Sequence, residues 1–164
     1  INIVMKLSDI ITEKVNVTQA KNAREAEYLQ KAADFLINHL GLNGKEIVLS
    51  LNPPSSIVTF DGAQTGMTIG MGRKPNKIFI MLDNKLSTGE KVKALAHEMV
   101  HAIQLASGRL TILDIKDSKV RGEWEGEKFT NMKYQRNNPW EIEAHSREDE
   151  LHRLVIDELG NFTR

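Results

Sequence analysis

The sequence predicts one α+β domain over residues 1–164, a small mixed sheet packed by an N-terminal helix, a central helix and a C-terminal helix. Three observations predict it. Apolar residues recur at helical spacing near the start, the middle and the end of the chain. Short β-branched runs separated by turn-forming residues lie between these segments. No repeat, low-complexity stretch or linker divides the chain, and 164 residues are enough to bury a real core.

The first helix, over 18–40, places Ala26, Leu29, Ala33, Leu36, Ile37 and Leu40 at helical spacing, with Gly41 where a helix should stop. Strands follow in "KEIVLSL", "SSIVTF", "GMTIGM" and "NKIFIML", three or four in all, set apart by the turn compositions "NPP", "DGAQTG" and "GRKPN". The central helix is the best delimited. Ser87 and Glu90 have capping-box spacing, and Gly108 suits the C-terminal stop. "RLTILDI" and "KVRGEWEGEKF" then read as a hairpin or extended lobe, and the last helix opens at Pro139. The glycines of "GAQTGMTIGMG" match neither the dinucleotide fingerprint nor the P-loop and read as turn glycines.

Composition excludes several classes. Lys plus Arg and Asp plus Glu number 22 each and are scattered, so nothing recruits nucleic acid or an anionic membrane. No apolar run approaches the roughly 20 residues of a membrane span, and "INIVMKLSDII" is too interrupted for a secretory signal. The chain opens on Ile1 rather than Met, which fits a processed end or a natural start at Met5, and the first residues carry no functional argument. Absence of cysteine excludes thiolate ligands and fits a reducing compartment, so any metal must sit on His, Asp or Glu.

The central helix carries "HEMVH". His97 and His101, four apart, lie on one helix face and can offer imidazole nitrogens to one ion. Glu98 is turned about 100° away, which suits a base acting on a metal-bound water rather than a ligand. Val92, Leu95, Ala96, Met99, Ala102, Ile103 and Ala106 form an apolar side that should pack on the sheet and leave the histidines facing a cleft.

A catalytic zinc site takes three protein ligands and leaves a fourth position open. "PWEIEAH" in the last helix offers Glu141 and Glu143, about 160° apart, so one of them faces the metal. Trp140, Ala144, Leu151, Leu154 and Val155 make that helix's apolar stripe, with Glu141, His145, Glu148 and His152 along one flank. The flank favours Glu141, with Glu143 and His145 as alternatives. His145 and His152 read as surface or supporting residues, and His39 as a helix C-terminal histidine.

"LAHEMVHAIQ" followed by "NPWEIEAHSRE", with "WEGEKF" between them, resembles a group of small phage-associated and bacterial zincin metallopeptidases, over roughly residues 75–150. The similarity to thermolysin-like gluzincins and SprT-like proteases is more distant. Metzincins have Gly and His where this chain has Gln104 and Ser107, and thermolysin-like enzymes have an acidic residue where it has His145. The resemblance implies a zincin-like fold, Zn2+ held by His97, His101 and Glu141, and Glu98 as general base. It implies hydrolysis of a peptide or protein substrate by a zinc-activated water, in the cytoplasm of a phage-infected bacterial host or on a virion. Tyr134 is the one nearby candidate for an oxyanion stabiliser, with a packed aromatic the favoured reading of it, and "KIFIML" is either an edge strand that pairs with substrate or a central one. The rival expectation is a non-catalytic, zincin-like phage structural or regulatory protein whose zinc is closed by a fourth protein ligand, His145.

Overall fold

The structure, a computed structural model, describes residues 20–52, 65–117, 119–132 and 136–162. The expected strand "SSIVTF" and Tyr134 lie outside them. The architecture is α+β, with three helices and two three-stranded sheets among the described residues, where the sequence predicts one sheet. No described helix is long and apolar enough to cross a membrane.

Helix α1 (Ala23–His39) begins where the Asn22 side chain accepts from the Glu25 N–H, a capping bond that satisfies one orphan donor. Its buried face is Ala26, Leu29, Ala32, Ala33, Leu36 and Ile37, and Gly41 leaves it with φ +72°. In β1 (Glu46–Asn52) and β3 (Lys77–Asp83), Ile47, Leu49 and Leu51 stand beside Ile78, Ile80 and Leu82 in parallel register. Their outward neighbours alternate with them, as a sheet packed on one face requires. The short strand β2 (Gly66–Ile69) pairs antiparallel with β3, so the order is β1-β3-β2. The "KIFIML" segment is therefore central, with β1 and β2 on its two sides.

Helix α2 (Thr88–Ser107) carries the capping box between Ser87 and Glu90 and ends at Gly108, φ +80°. It is not apolar on one side and open on the other. It runs between the first sheet, α1 and the C-terminal helix α3 (Pro139–Leu159), so Lys91, Glu98, His101 and Gln104 are buried beside Leu95, Met99 and Ala102, while Ile103 and Ala106 are only partly buried. A helix packed on several sides cannot keep its polar groups in water, and each needs a partner.

Lys91 shows the consequence. Its ammonium donates to Glu25 Oε1 of α1, with both side chains essentially inaccessible. Removing one partner would strand the other charge in the core. Lys91→Ala is expected to destabilise the fold by about 3–5 kcal/mol, whereas the double change Glu25→Leu with Lys91→Met is expected to be nearly neutral. A urea titration of both variants checks this, and a single-variant loss under about 1 kcal/mol would contradict it.

The second sheet, β4 (Leu110–Lys116), β5 (Lys119–Trp124) and β6 (Glu127–Phe129), is antiparallel. Glu125 and Gly126 turn β5 into β6 with φ +48° and +88°, the left-handed pair that matches strand twist in a two-residue hairpin. Arg109 ties this lobe to α3, donating to Glu125 at 2.8 Å and Glu143 at 2.9 Å while lying over the Trp124 ring. Trp140 of α3 packs against Trp124 and Phe129. One contiguous core draws residues from both sheets and all three helices.

Candidate metal centre

Two helices bring the donors together. His97 Nε2 and His101 Nε2 stand 3.2 Å apart on α2, and the Glu141 carboxylate of α3 meets them with Oε2 at 3.0 Å and Oε1 at 2.9 Å. Bonds of 2.0–2.1 Å from a tetrahedral zinc to its ligands set neighbouring donors about 3.3 Å apart. The observed separations are close to that edge length.

The far sides of both rings decide their tautomers. Gln104 Nε2 donates to the Trp140 carbonyl at 3.0 Å, and a carbonyl only accepts, so Gln104 Oε1 is the atom that faces His101 Nδ1 at 2.8 Å. His101 therefore carries its proton on Nδ1. His97 Nδ1 lies 2.8 Å from Glu148 Oε2 and donates to it in the same way. Both neutral rings thus aim Nε2 lone pairs at one point, where a carboxylate adds a third. Three converging lone pairs suit a shared cation, either a proton on an imidazole or a metal ion. The donor set, two imidazoles and a carboxylate with outer partners on both imidazoles, fits zinc.

Protons compete with a metal for that point. Burial pulls the His101 imidazole down, but hydrogen bonding and charge from Glu141, with Glu98 and Gln104, outweigh it and raise its pKa to about 9. For Glu141, burial pushes the carboxyl up, yet His101 and His97 hold it at about 2. His97 is raised too: burial lowers it, and Glu141 and Glu98 more than offset burial and the His101 charge. The sign follows. The stabilising His101–Glu141 ion pair of the metal-free protein is complete between the ordinary pKa values of about 4.5 for Glu141 and about 6.5 for His101, and is lost as pH rises through about 9 or falls through about 2. A metal needs the deprotonated Nε2, so zinc binding at pH 7 is expected to release about one to two protons per ion, with affinity climbing until pH passes about 9. Calorimetry in buffers of different ionisation enthalpy measures the release. A buffer-independent heat at pH 7 would count against the site.

Glu98 stands beside this centre. Its carboxylate Oε2 accepts from Thr68 Oγ1 of β2 at 2.5 Å, and the same hydroxyl lies 3.1 Å from the Glu98 carbonyl. Gly66, two residues earlier, makes the approach possible, because a Cβ there would lie 3.1 Å from Glu98 Cγ. His97, Glu98, His101, Glu141, His145 and Glu148 line one cavity of about 340 Å³. His145 sits close to the trio: its ring centroid is 4.5 Å from that of His97, and one donor atom each of His97, Glu141 and His145 fall within 4.8 Å.

The structure brings His97, Glu98, His101 and Glu141 together and holds Glu143 away, on Arg109. His145 faces the cavity rather than the surface. His152 lies elsewhere, lining a second cavity together with Tyr28 and the start of α2, with burial and then Lys93 lowering its pKa. His39 stacks on Phe35 at the end of α1. Sequence reasoning assigned no role to Gln104 or Thr68 and put Glu148 only on the right flank. Gln104 is legible in principle, three residues after His101 and so next to it on the helix. Thr68 carries no such signal, since it comes from a strand 30 residues away. Comparison with protein-family models, with curated proteins and with solved structures finds no match to this chain.

Proposed function

We propose that the chain is a zinc-dependent metallopeptidase of zincin-like type. One observation carries the reading: two imidazole Nε2 lone pairs, fixed by Gln104 and Glu148, converge with the Glu141 carboxylate beside a buried carboxylate that is not in the trio, in a cavity with room for substrate. Zinc bound by His97, His101 and Glu141 would supply Lewis acidity, polarising a scissile carbonyl and acidifying a water. The chain's own residues do the rest. Glu98 takes the proton of the water that adds to the carbonyl carbon, and the same proton leaves on the amine nitrogen as the C–N bond breaks. Thr68 holds one Glu98 oxygen, leaving the other for the water. With one hydroxyl hydrogen and two acceptors on Glu98, Thr68 can donate to the ionised carboxylate and turn to the carbonyl when the carboxyl is protonated.

The nearness of His145 to His97 and Glu141 favours a second reading, a structural zinc closed by His145. The cavity and Glu98 argue for the first, because a closed site needs neither. The test is elemental analysis of protein purified without added metal, followed by an unbiased peptide-library digest with and without a chelator. About one zinc per chain and cleavage that the chelator abolishes are expected. Chelator-resistant cleavage, or protein without zinc affinity, overturns the proposal.

A further inference from the structure

The β4–β5 lobe supplies an apolar part of the cavity's lining, Leu110, Ile112, Ile115 and Val120, and Met132 and Trp140 line the cavity too. Strict alternation along β4 would put Leu110, Ile112 and Asp114 on one face. The strand does otherwise. Ile112 pairs with Gly122 and Asp114 with the next residue back, Arg121, so Leu113 is an extra residue, a β-bulge. The bulge reverses the phase: Ile115 pairs with Val120 on the cavity face, and Asp114 turns out to bind Arg121. An acidic side chain is thereby exchanged for an isoleucine in the wall. Ile115 keeps 39% of its surface exposed, so the apolar wall reaches the mouth of the cavity.

Resting on the metallopeptidase reading, we propose that this face of the β4–β5 lobe selects substrates with a bulky apolar residue beside the scissile bond, Leu113 being the inserted residue that makes the pocket apolar. The volume sets the scale. A cavity of about 340 Å³ is at the small end of ligand sites and fits one or two residues rather than a long enclosed segment. Burying one large apolar side chain there removes on the order of 100 Å² of apolar surface from water. An acidic side chain in the same place would lose its hydration, and the described residues of this wall offer it no cation, Lys93 lining the cavity from α2 instead.

The test uses zinc-loaded protein and three hydroxamates, which grip an open metal position and differ in their arms: methyl, phenylethyl and carboxyethyl. Calorimetric binding is expected to be roughly 10- to 100-fold tighter for the phenylethyl compound than for the methyl one, with the carboxyethyl compound no tighter than methyl. Ile115→Glu should shrink the phenylethyl advantage several-fold, and Ile115→Leu should keep it. If the methyl and phenylethyl compounds bind equally, or the carboxyethyl compound binds best, the apolar pocket is overturned while the metal centre stands. If zinc-loaded protein binds none of them, no open metal position exists and the metallopeptidase reading falls, taking the pocket's role with it.

Discussion

Glu98→Gln is expected to leave zinc content and unfolding midpoint close to those of the unchanged protein, while peptide hydrolysis falls by about 10²- to 10⁴-fold. The amide is nearly isosteric with the carboxylate. It can still accept from Thr68, so the packing of α2 against β2 survives. What it cannot do is take a proton from water. The trio of donors stays intact because Glu98 is not one of them. Thr68→Val, which removes only the hydroxyl that holds Glu98, should cost less than Glu98→Gln. Rates on a peptide that the unchanged protein cleaves check both variants. Full activity in Glu98→Gln would remove the general base from the mechanism and leave the structural-zinc reading in front.

Glu141→Ala is expected to weaken zinc binding on the order of 10²- to 10³-fold, about one ligand's share of a total that runs to roughly 10–16 kcal/mol in closed structural sites. Glu143→Ala, two residues on, should change it little. The contrast rests on geometry, since Glu141 is buried and meets both imidazoles, while Glu143 spends its carboxylate on Arg109. Removing Glu143 loosens the contact between the β4–β5 lobe and α3 instead. Competition against a chelator of known affinity gives both numbers. If Glu143→Ala costs more, the ligand assignment is wrong. If His145→Ala matches the Glu141 effect, His145 is a ligand and the site is closed rather than open.

The parts of this protein that were legible in its sequence are those that local geometry decides. A helix period puts His97 and His101 on one face whatever surrounds them, and the same period separates Glu141 from Glu143. Ser87, Glu90, Gly108 and Pro139 mark helix ends through bonds and torsions within a few residues. Tertiary structure alone decided the remainder, because it depends on pairings between distant segments. Nothing near Thr68 in the chain says that its hydroxyl will face Glu98, and nothing near Lys91 says that a buried glutamate awaits it on α1. Alternation misplaces Ile115, since a bulge is set by how β4 registers against β5. An apolar-stripe reading misjudges α2, because burial on a second side comes from α1 and α3, which no periodicity within α2 records. Local rules thus place the donors on their helices, and the packing of α2 against α3 and β2 aims them, with their partners, at one point.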